Sequence, residues 1–309
     1  MTAIDQPRAF AVTGAHVVDP SRGVDAVGTV LVADGRIVAA GPEALNQGVP
    51  EGYEVVDGRG LVAAPGLVDM RVFVGEPGHE HRETLETASR AAAAGGVTTI
   101  VMMPDTDPPI DDPALVDFVL RRARDTARVR IHPMAALTKG LAGKETTEFG
   151  LLTEAGAVGF SDGRHSVTNA RVMRRALTYA RDFGALVAHH PHDPDLVGSG
   201  VMNEGEAATR LGLPGIPREA ETIMLDRDLR LAALTRGRYH AAQVSCADAA
   251  AAIDVAQLPA RYDITQIFRH ATLPLESTIL VLHRRRVCSG SATLHAGSSA
   301  SPSRSSGFL

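Results

Sequence analysis

Tryptophan is absent from this 309-residue chain, and aromatic residues make up only 4% of it. A core with so few rings must be built from Ala, Val and Leu. Cysteine is almost as scarce. Cys246 and Cys288 are too few for a disulfide framework or a thiolate-based zinc site. No apolar run reaches the length of a membrane span, so no membrane segment is expected. Excess positive charge is missing too. A formal net charge of −5 removes the electrostatic reason to expect nucleic acid or an anionic membrane as a partner. The opening residues, Met1-Thr-Ala-Ile-Asp-Gln-Pro7, lack the basic and apolar regions of a secretion signal. A soluble, cytoplasmic protein is the expectation.

What is present is a 44% apolar content, enough for one large α/β barrel or two ordinary domains. Residues 8–64 read as short strands, among them Ala9-Phe-Ala-Val-Thr13 and Thr29-Val-Leu-Val-Ala33. Asp34-Gly35 is a hairpin signal before Arg36-Ile-Val-Ala-Ala40. This part is expected to form a small β-module.

The stretch from Gly60 to Gly78 joins that module to the rest. Leu61-Val-Ala-Ala64 meets a Pro65-Gly66 break, and Leu67-Val68 leads through Asp69 to Arg71-Val72-Phe73. The pattern predicts a strand pair around a turn. From Leu67 onward strands and helices alternate, which argues for a parallel sheet. Helices are expected over 84–94, from Asp112 as cap with Pro113 first, over 149–155, from Thr168 as cap to Phe183, and over 219–234. Strands are expected over 97–103, 129–137, 157–160, 185–189 and 239–245. After about Ile253 the periodicity collapses, and a Ser/Gly/Ala-rich tail follows. The expected division is therefore a β-module over 1–64, a barrel of about six β/α units over 65–253, and an aberrant or disordered tail over 254–309.

Several motifs along this pattern have one source in common. They are Glu76-Pro77-Gly78, Ala94-Gly-Gly-Val-Thr-Thr99, Met103-Pro104-Asp105-Thr106, Gly159-Phe-Ser-Asp-Gly163, Ala188-His189, and the segment from Met202-Asn-Glu-Gly-Glu206 to Gly215-Ile-Pro-Arg-Glu-Ala-Glu221. Over roughly residues 10–252 the chain resembles the dihydroorotase family of the amidohydrolase superfamily. The resemblance implies an incomplete TIM-type (β/α) barrel behind a small β-module. It also implies a cyclic amidohydrolase of pyrimidine biosynthesis that interconverts carbamoyl-aspartate and dihydroorotate. In active relatives a divalent metal, usually zinc, would polarise the ring carbonyl and generate hydroxide.

Carried over residue by residue, the resemblance places Arg71 and Phe73 where the family has the metal-binding His-x-His. A guanidinium stays protonated and cannot be a ligand. Asp162 and His189 match two remaining ligand positions, and Gln243 stands where another ligand histidine belongs. Gly75 and Asp105 replace the Arg and Asn that would hold the substrate carboxylate. No counterpart of the catalytic Asp of the eighth strand is found. His189, His190 and His192 read more readily as a solvated segment than as a metal cluster, and Lys139 and Lys144 as surface lysines.

Three readings remain open. The chain keeps dihydroorotase activity through Asp162, His189 and an atypical metal site. Alternatively it is a pseudoenzyme, a non-catalytic subunit that scaffolds aspartate carbamoyltransferase or forms a homo-oligomer. The third reading is a truncated or frame-shifted product without function. On either of the last two, little or no zinc would be tightly bound.

Overall fold

A computed structural model describes residues 9–46 and 48–257, together with the backbone of 279–283. The amino-terminal strands alternate in burial, and that alternation makes one face of a sheet. β1 (Phe10–Asp19), β2 (Val24–Ala33) and β3 (Arg36–Gly41) pair antiparallel in sequence order. Asp34 and Gly35 take φ values of 49° and 71°, the left-handed pair that an Asp-Gly hairpin turn requires. β4 (Glu54–Asp57) and β5 (Leu61–Pro65) both run parallel to β1. Val12, Ala15, Val17, Val30, Val32 and Ala63 form the module's own core.

The Pro65-Gly66 break separates sheets. β5 stays in the module, whereas β6 (Leu67–Val72) pairs parallel with a barrel strand, so the two are not the strand pair that the sequence predicts. Gly66 is needed at the crossing because a Cβ there would fall on the side chain of Thr98.

Beyond β6 the chain follows the α/β pattern: α1 (Leu85–Ala94), β7 (Val97–Met102), α2 (Pro113–Thr126), β8 (Arg130–Pro133), β9 (Ala135–Ala136), α3 (Phe149–Glu154), β10 (Phe160–Ser161), α4 (Ala170–Asp182) and β11 (Leu186–His189). An excursion of short elements follows, with α5 (Pro194–Val197), β12 (Met202–Asn203), α6 (Glu206–Leu211) and β13 (Gly215–Ile216). Then come α7 (Glu219–Thr235), β14 (Arg238–Ala241) and α8 (Ala247–Gln257).

β6, β7 and β8 are neighbours, as are β9, β10, β11 and β14, and every pairing is parallel. β8 and β9 are one bent strand, as the prediction over 129–137 implies. The bend falls after Pro133, which has no N–H to give a ladder. Met134 N–H donates to Met102 at 2.8 Å, and Ala135 N–H donates to Gly159 at 2.9 Å, so the strand changes partner within two residues.

Local signals place the helices. Thr84 caps α1 with a reciprocal capping box through Thr87, and Asp112 accepts from Ala114 N–H at 2.8 Å ahead of Pro113. The cap of α4 is Asn169, which accepts from Arg171 N–H at 2.9 Å, and not Thr168. Asn offers the same acceptor one position later. The few aromatic rings are grouped: Phe149 stacks on Phe160 at 4.0 Å and on Tyr179 at 4.9 Å. Small residues such as Ala135, Ala136, Ala176 and Ala188 let the layers approach. No helix among the described residues is long and apolar enough to cross a membrane.

Most of the expected tail, 254–309, lies outside the described residues. Two parts of it do not. Residues 254–257 complete α8, and β15 (Ile279–His283) pairs antiparallel with β5, from Ile279 opposite Pro65 to His283 opposite Leu61. The backbone thus returns to the amino-terminal sheet, a closing β-segment that the sequence pattern did not reveal.

Candidate functional site

Parallel strands deliver their carboxyl ends to one face, where barrels of this type build their sites. Arg71 lies near the end of β6, Asp105 follows β7, Asp162 follows β10, and His189 ends β11.

His189 is fully buried, and both ring nitrogens are in use. Nε2 accepts the backbone N–H of Val167 at 2.8 Å, and Nδ1 lies 2.6 Å from Asp228 Oδ2. A backbone N–H can only donate, so Nε2 carries the lone pair and Nδ1 the proton that goes to Asp228. Asp228, also fully buried, accepts from Tyr239 Oη at 2.9 Å and from Arg227 Nη2 at 2.7 Å. Burial, followed by the Asp228 charge, pushes the Tyr239 phenol well above its usual range. Arg227 reaches further, donating to the carbonyls of Thr168 at 2.7 Å and Val167 at 2.9 Å. The network therefore ties α7 and β11 to the loop between β10 and α4.

Asp162 is buried against Thr138, whose N–H donates to Oδ1 at 2.8 Å and whose hydroxyl donates to Oδ2 at 2.5 Å. Burial raises the Asp162 carboxyl, and the two bonds from Thr138 oppose that.

Arg71 donates weakly from Nη2 to the Gly163 carbonyl at 3.4 Å, while its buried Nε–H has no partner. Burial lowers the guanidinium pKa, and the Asp105 charge opposes the shift. Asp105 Oδ2 lies 3.5 Å from Arg164 Nε, and its buried Oδ1 is also unpartnered. Phe73 carries the Arg82 guanidinium over its ring at 4.7 Å. At Gly75 any side chain would meet the carbonyl of His79, so the loop leaves no room for one. Gln243 is exposed, two residues past the end of β14, because the strand stops at Ala241 and does not run on through 245.

Two other sequence features change meaning. The run His189, His190 and His192 is not a solvated segment: His189 is 0% exposed, and the rings of His190 and His192 stack at 5.1 Å. Burial pushes the His190 imidazole down to about 4. Glu76-Pro77-Gly78 is a structural brace here. Buried Glu76 accepts from Leu85 N–H at the start of α1 at 2.9 Å and from Arg122 Nε on α2 at 2.6 Å. Gly78 has φ 94°, and a Cβ there would fall on the Asp107 carbonyl.

A catalytic metal needs lone pairs that face a common point. Among the described residues no group of three His, Cys, Asp or Glu side chains could hold one. Thr138 holds both oxygens of Asp162, Val167 holds the lone pair of His189, and a cationic Arg71 shares the barrel mouth. These residues do not fit the metal that the family resemblance implies.

Sequence reasoning missed Thr138, Val167, Arg227 and Asp228. One of them left a signal. Asp228 interrupts the apolar face of α7 formed by Leu225, Leu229 and Ala232, and a carboxylate in such a stripe needs a buried partner.

Comparison with known proteins agrees with the fold. A family described as Dihydro-orotase-like matches residues 60–249. A dihydroorotase of Anaeromyxobacter dehalogenans strain 2CP-C is 45% identical over 257 residues, covering 82% of this chain and 59% of the relative. A dihydroorotase of Solibacter usitatus is 43% identical over 245 residues, covering 79% of this chain and 56% of the relative. The chain thus spans somewhat over half the length of these curated relatives. The solved structure of an L-hydantoinase from Arthrobacter aurescens superposes with a TM-score of 0.67 at 22% identity, covering 82% of this chain and 57% of that one. That likeness shows the shared barrel fold. With a family match over more than half its length, the chain belongs to the dihydroorotase-like family of the amidohydrolase superfamily.

Proposed function

We propose that this chain is a non-catalytic member of its family, a dihydroorotase fold kept without turnover of carbamoyl-aspartate or dihydroorotate. One observation carries the reading: the Nε2 lone pair of His189 is taken by the Val167 N–H, so the retained family ligand has nothing to offer a metal. The neighbours support it. Arg71 brings a fixed positive charge to the site, and no arginine at position 75 is there to pair a substrate carboxylate. The test is zinc content together with dihydroorotate hydrolysis, measured beside an active dihydroorotase. The expected result is well under one zinc per chain after dialysis against a chelator, and no turnover above the blank. Stoichiometric zinc together with turnover would overturn the reading.

A fold kept without its chemistry is most simply kept for binding. Resemblance to non-catalytic dihydroorotase-like chains makes aspartate carbamoyltransferase the first partner to try, in a cytoplasmic setting that suits the low cysteine count. A stable assembly would bury roughly 1,200 Å² or more. Co-elution of the two proteins on size exclusion at micromolar concentration is the expected result. Separate elution would remove this partner and favour a product without function.

A further inference from the structure

The outer face of α4 carries a stripe that the barrel mouth does not use. Arg171, Arg174, Arg175 and Thr178 recur at helical spacing, while Met173, Ala176, Leu177 and Ala180 face the core. The stripe forms one wall of an open trough of about 640 Å³, whose other lining includes Thr146 and Tyr179. All three arginines are exposed, and among the described residues none has an ion pair or a side-chain hydrogen bond. Some other arginines are paired, Arg121 with Asp117, Arg122 with Glu76, and Arg218 with Asp248. The trough's own carboxylates do not cancel the charge. Asp182 is paired with Arg181 at 2.9 Å, which leaves three guanidinium groups of the trough facing the one carboxylate of Glu148. A cationic trough therefore sits on a chain whose net charge is −5.

The geometry points to a docking trough for an acidic segment of a partner protein. Guanidinium forks take carboxylates two bonds at a time. Side chains on alternate residues of an extended peptide stand about 7 Å apart, near the roughly 5–6 Å step between helix positions three or four apart. Apolar surface lies alongside. Phe183, one turn beyond Tyr179, packs its ring over Gly150 yet remains 44% exposed, and Leu151 on α3 is 56% exposed. A small phosphate compound would leave that surface bare. A segment with interspersed acidic and apolar residues covers both. The assignment does not depend on whether the barrel mouth is catalytic.

The test uses the full chain and a fluorescent short synthetic peptide rich in Asp and Glu with interspersed Leu and Phe. Saturable binding is expected, weaker at high salt, with slowed hydrogen exchange over residues 146–148 and 170–182. The double variant Arg174→Glu/Arg175→Glu should weaken binding by about tenfold or more, since two attractions become repulsions. Arg174→Gln/Arg175→Gln should show a smaller loss and guards against misfolding of the reversal, with circular dichroism as the check. Absence of binding, equal binding of the peptide with Gln and Asn in place of its acids, or an unchanged affinity in both variants would overturn the proposal. So would full displacement by tripolyphosphate, which would mark a small-anion site.

Discussion

His189 Nε2 and the Val167 N–H meet at 2.8 Å across 22 residues of sequence. The contact makes the His189 side chain a clamp on the loop between β10 and α4. Around it, Ser166 Oγ donates to the His190 carbonyl at 2.6 Å, and Arg227 holds the carbonyls of Val167 and Thr168. The barrel mouth is braced by bonds that a metal would have to break.

If that clamp is structural, its loss should show as instability. His189→Ala leaves a buried N–H without an acceptor and removes one partner of Asp228, for a cost of roughly 2–3 kcal/mol. Urea unfolding should read that loss, and added zinc should leave the wild-type midpoint where it was. A zinc-dependent rise in the wild type that disappears in His189→Ala would show that the imidazole binds metal instead.

Placing a His-x-His at positions 71 and 73 should not give turnover. In Arg71→His/Phe73→His, Asp162 remains held by Thr138, His189 by Val167, and Gln243 remains exposed beyond its strand. Neither stoichiometric zinc nor dihydroorotate hydrolysis above background is expected. Robust hydrolysis by the double variant would mean that the site has been misplaced.

Acid should weaken the fold before most carboxylates titrate. Burial holds His132, His190 and His240 below the ordinary imidazole range, with Arg130 adding to the effect at His132, and His190 falls to about 4. The unfolded chain then takes up protons first. This contribution to stability is complete above about pH 6.5 and is lost progressively toward about pH 4. Asp162, raised by burial, works in the opposite direction. Urea midpoints at about pH 7.5 and about pH 5 should fall with acid, and His132→Gln should flatten the slope. A wild-type stability that holds level or rises on acidification would refute this account.

The Glu76-Pro77-Gly78 motif should prove a matter of folding. Gly78→Ala forces a methyl group onto the Asp107 carbonyl at φ 94°, where the Asp107 N–H donates to Pro77 at 3.1 Å. Overpacking and left-handed strain together amount to about 3 kcal/mol. Thermal unfolding of the purified variant gives the measurement, and a midpoint matching wild type would show that the loop yields freely.

Much of the architecture was legible in the sequence because its causes are local. The Asp34-Gly35 turn, the cap Asp112 and the alternation of strand and helix each depend on residues within a turn or two of one another. That Arg71 and Phe73 cannot themselves be metal ligands was equally plain, since no folding gives a guanidinium or a phenyl ring a lone pair for a metal. What the other positions do was decided only in three dimensions. Asp228 reaches His189 across 39 residues, Thr138 reaches Asp162 across 24, and β15 finds β5 at the far end of the chain. Sequence spacing identifies a histidine at the end of a strand. Whether its lone pair faces an ion or a backbone N–H depends on which loop packs above it, and that is settled by burial and hydrogen bonding between distant segments.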